Sequence, residues 1–207
     1  MRRPLRWPRS WDMRSGIRRQ IPTEGITKLT DVDFSYAARL GASIKLFGTS
    51  IRRDGRYYLE VAPVFINARN PLYSVSGVFN GILLNSNMLG ESMYYGSGAG
   101  KLPTASAVVG DMIAAVQLKD RLAPQGWTGE RLEVLPVRRL PWRYFARFEG
   151  SRQEKKTLAE ELFGNVRWLE LTGMDEFAIL TGPMTGEEFD RAAGRLGGLR
   201  RAIRAQV

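Results

Sequence analysis

Three glycines at every second position, Gly96, Gly98 and Gly100, run into Lys101, Pro103 and Thr104 within the stretch YGSGAGKLPTAS, residues 95–106. Glycines leave the backbone open to close approach, and a helix N-terminus offers unclaimed N–H groups and a positive dipole end to an anion such as a phosphate. The same composition also reads as a plain glycine-rich turn. It is not the strand–GxGxxG–helix fingerprint of a dinucleotide domain, because no βαβ unit surrounds it.

What chemistry remains is narrowed by two absences. The 207-residue chain has no cysteine, so it has no disulfide framework, thiolate nucleophile or cysteine metal site. It has no histidine either, which removes the commonest general base, the commonest metal ligand and any serine–histidine triad. Chemistry would have to rest on Lys, Asp, Glu, Tyr or a bound cofactor, and no metal site is expected.

The formal net charge is +10, from 31 Lys plus Arg against 21 Asp plus Glu, so an anionic partner has to be weighed. Much of the excess sits at the two ends. Arg2, Arg3, Arg6, Arg9, Arg14, Arg18 and Arg19 crowd the start, and Arg195, Arg200, Arg201 and Arg204 close the chain. No nucleic-acid motif frames them, so they read as tails or solvated faces and nucleic acid is not an expected partner. No apolar stretch reaches the roughly 18 residues of a membrane span, and no secretory h-region is present. The cytoplasm is the expected location.

The elements that would hold the glycine turn can be read from periodicity. Asp31 and Asp33 can accept from free N–H groups at the start of a short helix that Gly41 ends. Strands are expected over 43–51 and 57–66, rich in β-branched and aromatic residues, with Asp54-Gly55 in the hairpin turn. Further strands at 77–84 and 91–95 would complete a mostly antiparallel sheet, on which a helix over 104–122 would pack. Pro124, Gly126, Gly129, Pro136 and Pro141 mark residues 123–142 as a linker. Beyond it come a strand at 144–148, a helix at 153–163, strands at 166–171 and 177–181, a helix at 186–196 and a last strand near 200–205. That is the β-α-β-β-α-β order of a ferredoxin-like unit. The fold class is thus α+β, with residues 1–22 a basic and poorly ordered start, 23–122 a sheet-and-helix region, 123–142 a linker and 143–207 the βαββαβ unit.

Several stretches, in one order and spacing, resemble the C-terminal part of the catalytic region of homoserine dehydrogenase: EGITKLTD, YAARLGASIKLFG, VAPVF, PLYSVSGVFNG, residues 90–106 and Gly110-Asp111. The resemblance covers somewhat under half of the chain. It implies an enzyme that interconverts aspartate semialdehyde and homoserine with NADP or NAD, usually as a homodimer formed through this same sheet. In that family the glycine matching Gly100 lies close to the nicotinamide cofactor, and Gly98 is a weaker candidate for the same contact.

Departures bear on the reaction. The family's GxGxxG domain, its Asn-Gly-Thr-Thr-Asn segment, its substrate-binding glutamate and its Asp and Lys one helical turn apart are not matched here. No catalytic residue is therefore assigned, and the chain is expected to be a fragment that is inactive alone. Lys28, Lys45, Lys101 and Lys119 read as solvated or structural, and Asp31, Asp33 and Asp111 as helix caps and surface acids. The C-terminal unit resembles the ACT domains that often end bacterial homoserine dehydrogenases, which implies an amino-acid effector such as threonine. Where such domains carry Asp-x-Pro-Gly, this chain has Glu149-Gly150-Ser151, without the proline.

Overall fold

Local sequence sets the elements of the structure, a computed structural model that describes residues 21–118 and 133–207. In chain order they are α1 (Asp31–Arg39), β1 (Ala42–Arg53), β2 (Arg56–Asn67), β3 (Phe79–Ser86), β4 (Gly90–Ser97), α2 (Lys101–Leu118), β5 (Val134–Pro136), β6 (Arg143–Glu149), α3 (Arg152–Phe163), β7 (Arg167–Leu169), β8 (Glu176–Leu180), α4 (Gly186–Leu196) and β9 (Leu199–Gln206). They form two compact units, one of residues 21–69 with 133–207 and one of residues 70–118. The basic stretch 1–20, Lys119 and the first half of the expected linker, 123–132, lie outside the described residues. Among the described residues no helix is long and apolar enough to cross a membrane.

In the larger unit, Thr30 opens α1: its backbone N–H and its hydroxyl both donate to Asp33 Oδ2, at 2.9 and 3.0 Å. Gly41, at φ +62°, ends it as the sequence leads one to expect. Asp54 and Gly55 both take positive φ, +51° and +76°, the geometry that lets a two-residue turn follow the twist of its strands. The hairpin β1–β2 pairs without interruption from Ala42↔Asn67 to Arg53↔Arg56.

That hairpin does not stop at its own edge. The sheet runs β1-β2-β9-β6-β8-β7, with β9 parallel to β2 from Val64↔Arg204 to Ile66↔Gln206. β5 also pairs with β2, so residues 134–136, read above as linker, are strand. The stretch 143–207 shows the expected element order, with strands side by side as β9-β6-β8-β7 and every neighbouring pair antiparallel.

Alternation along β6 explains the layering. Tyr144, Ala146 and Phe148 face one side, where Ala159 and Phe163 of α3 and Phe189, Ala192 and Leu196 of α4 cover them. Phe145 and Arg147 face the other, where Tyr36 and Ala37 of α1 pack with Phe65, Ala178 and Ile203. The Phe145 ring stacks on Phe65 at 4.5 Å and meets Tyr36 at 5.5 Å. Helix α1 is thus part of the core of the C-terminal sheet.

In the smaller unit β3 pairs with β4 alone, from Phe79↔Ser97 to Ser86↔Gly90. One face of this ribbon receives Leu72 and Val75, which sit where a side chain on Gly81 would be. Helix α2 departs from expectation. No residue of it is buried, and Val108, Met112 and Val116 are among its exposed side chains. Within the described residues of its own unit, the apolar face that the periodicity predicts stays uncovered.

Candidate functional site

The glycine turn lies between β4 and α2, and each of its glycines has a separate physical reason. Gly98 donates its N–H to Val78 O at 3.2 Å, and a Cβ there would fall 1.6 Å from Asn80 Nδ2. Glycine at 98 lets the Asn80 amide lie against the backbone, and a side chain there would push that amide aside. Gly100 sits at φ +125°, a region that side chains make costly. Its carbonyl accepts from Thr104 N at 3.1 Å, so α2 begins at Lys101, three residues before the expected Thr104.

The early start brings the turn directly onto the helix end. Lys101 and Leu102 contribute first-turn N–H groups that the helix itself does not use, and Pro103 has none to offer. Lys101 is exposed, and just before the turn the Tyr95 ring stacks on Phe79 at 4.9 Å. This arrangement can present open backbone and a positive dipole end to an anionic or planar group. It contains no side chain placed for proton transfer. Lys28, Lys101, Asp31 and Asp111 are all exposed.

Asp33 does not stay at the surface. It is fully buried, and Arg147 Nη1 donates to its Oδ1 at 2.6 Å and to Thr30 Oγ1 at 3.2 Å. The other side of the same guanidinium donates from Nε and Nη2 to Glu176 Oε1 and Oε2, at 3.0 and 2.9 Å. Burial opposes the Arg147 charge, but the hydrogen bonds to Glu176 and Asp33 outweigh it and hold the group above its ordinary value. The adjacent Tyr36 phenol is pushed up to about 12, first by burial and then by the Glu176 charge. Asp33 closes the capping box of α1, as expected of a cap acid, and does so from a buried position.

Two of the closing arginines also depart from the solvated reading. Arg201 pairs with Glu24 at 2.9 Å with its side chain mostly covered. Arg204 is buried, forms an ion pair with Glu60 and lies 5.1 Å over the Trp142 ring. Burial pushes the Glu60 carboxyl up against the pull of Arg204 and Arg138, and pushes Arg204 down. The signal that could have revealed these residues is strand parity: Arg147 shares its face with Phe145, and Arg204 with Ala202.

Among the described residues no group of three or more acidic, histidine or cysteine side chains is arranged to hold a metal ion. The C-terminal turn places Gly150 at φ +93° and Ser151 as the cap of α3, its hydroxyl accepting from Gln153 N at 3.1 Å.

Comparison with known proteins gives consistent results. Residues 13–113 match the family model for homoserine dehydrogenase. The chain is 37% identical over 145 residues to the homoserine dehydrogenase of Neisseria gonorrhoeae, an alignment covering 66% of this chain and 33% of that protein. It is 45% identical over 103 residues to that of Synechocystis sp., covering 48% of this chain and 24% of that one. The crystal structure of a homoserine dehydrogenase from Thiobacillus denitrificans superposes with a TM-score of 0.77 and 25% identity, over 90% of this chain and 49% of that chain. The chain spans about a third of the length of the curated relatives it matches.

Proposed function

We propose, from the match of residues 13–113 to the family model for homoserine dehydrogenase, that this chain supplies the cofactor-side wall of an oxidoreductase site. The reaction is the interconversion of homoserine and aspartate semialdehyde with NADP or NAD. The observation that carries this reading is the Gly98–Gly100 turn set directly on the N-terminus of α2. Gly100, and less closely Gly98, would leave room for the nicotinamide cofactor, whose chemistry when bound is to accept or return a hydride. The turn residues would exclude a side chain from that wall and offer backbone N–H groups to it.

Without an acid–base group at the turn among the described residues, the geometry supports binding and not turnover. The chain by itself is therefore expected to show no oxidation of homoserine. Purified protein mixed with homoserine and NADP, followed by absorbance of the reduced cofactor, should match a blank lacking protein. Turnover above that blank would contradict the assignment of the proton-transfer group to residues other than these.

The reading extends to partners. Two copies would pair through the β3–β4 ribbon, whose outward face carries exposed Ile82, Leu84 and Tyr94. A two-stranded ribbon is marginal until something covers it. The β9-β6-β8-β7 unit favours a second role as an effector-binding module, with threonine bound by the Gly150–Ser151 turn. Calorimetric titration with threonine is expected to release measurable heat that the Ser151→Pro variant loses; a flat titration of the unaltered protein removes the effector role.

A further inference from the structure

We propose that Asn80-Gly81 is a self-modifying site, at which the Gly81 backbone nitrogen closes on the Asn80 side chain and the amide becomes a carboxylate. The inference goes beyond the family reading and needs no cofactor, substrate or second chain. Asn-Gly occurs once in the 207 residues. Glycine has no Cβ to shield its nitrogen or to restrict its backbone, so it leaves the preceding asparagine most room to close the ring. The other asparagines between residues 70 and 118 are followed by Pro71, which has no N–H, or by Ser86 and Met88, which carry side chains.

Register leaves the attacking nitrogen open. Gly98 donates to Val78 O across the ribbon, and antiparallel pairs alternate, so Asn80 and Gly96 exchange the next hydrogen bonds and the Gly81 N–H points away from β4. Among the described residues no third strand pairs with that edge of β3. Asn80 is exposed, so water reaches its amide. Fit holds both residues in place: Asn80 lies against Gly98, and a Cβ on Gly81 would fall 2.6 Å from Leu72 Cδ2. Extended backbone keeps the reacting atoms apart, so the step waits for local opening of a ribbon that two strands hold marginally. A bond then forms from Gly81 N to Asn80 Cγ, the bond from Cγ to Nδ2 breaks, and ammonia leaves with the Gly81 proton. Water opens the resulting succinimide at either carbonyl to give aspartate or isoaspartate, and nothing is oxidised or reduced. Either product puts a negative charge diagonally across from Gly98, where the amide had fitted. Isoaspartate also lengthens the backbone of β3 and breaks its register with β4. The glycine turn loses its fitted neighbour by both routes.

The test incubates the full purified chain at mildly alkaline pH, digests it with trypsin and weighs the peptide of residues 70–101. Conversion shows as the mass gained when an oxygen replaces an NH, and fragmentation places it at residue 80. Hydroxylamine added during the incubation should cut the chain between Asn80 and Gly81. The native chain should convert roughly 10- to 100-fold more slowly than the same chain in urea, since only its locally opened form reacts. Amide exchange over residues 96–100 should quicken in the converted chain. Asn80→Gln, which keeps an amide at 80, should abolish both the mass gain there and the cut. Conversion at Asn85 or Asn87 that keeps pace with Asn80 overturns the proposal. So does a native chain that stays unconverted while its unfolded form converts fully, or a converted chain whose exchange over 96–100 is unchanged.

Discussion

Arg147→Met is expected to lower the stability of the protein by about 3–5 kcal/mol, seen as a fall in the urea midpoint at unchanged slope. The size follows from what is left behind. Arg147 is the shared partner of two carboxylates, Asp33 and Glu176, which are 0% and 7% exposed. Asp33 would keep the bonds from Thr30, whereas Glu176 would lose both hydrogen bonds from Arg147 and keep Arg200, 4.0 Å away, as an ion-pair partner. The cost therefore falls mainly on β8. Adding Glu176→Gln to Arg147→Met is expected to recover a large part of it, because an unpaired amide is far cheaper to bury than an unpaired carboxylate. If the single variant unfolds at the midpoint of the unaltered protein, the triad carries no net stabilisation.

Phe145→Ala is the second large effect, again about 3–5 kcal/mol. Phe145 is fully buried between the sheet and α1: it stacks on Phe65 of β2, meets Tyr36 of α1 and stands on β6 between β9 and β8. Its loss would leave a cavity between elements that come from opposite ends of the larger unit, so they cannot close over it by shifting one helix. Amide exchange in α1 and in β6 should quicken together. Quickening confined to α1 would show that the helix is only loosely attached to the sheet.

These two residues also show where the sequence could be read and where it could not. The strands and helices of 143–207 were legible because RYFARFE and EFAIL alternate or run apolar between clear breakers, and Thr185 with Glu188 marks the start of α4. Asp54-Gly55 and Gly41 were legible for the same reason, since each demands a positive φ. The pairing of β2 with β9 was not. It joins residues some 140 apart, a roughly counted separation of the kind that local periodicity does not encode. Arg201 and Arg204 looked like part of a charged tail because sequence charge says nothing of the partners, Glu24 and Glu60, that other strands bring. Gly98 and Gly100 were found as a pair by their spacing, and only the structure separates them into one fitted to Asn80 and one fitted to its own backbone angle.

The outer edge of β2 takes three partners in turn, β5 at Tyr57–Leu59, the Pro22–Glu24 stretch at Val61 and β9 at Val64–Ile66. On a ribosome this edge would be finished early and sealed late. Synthesis at about 5–20 residues per second puts on the order of ten seconds between the emergence of β2 and that of β9. Through that interval the most apolar half of β2, Pro63-Val64-Phe65-Ile66, has an unpaired side, so the nascent chain is a client for whatever in the cell shields open strands.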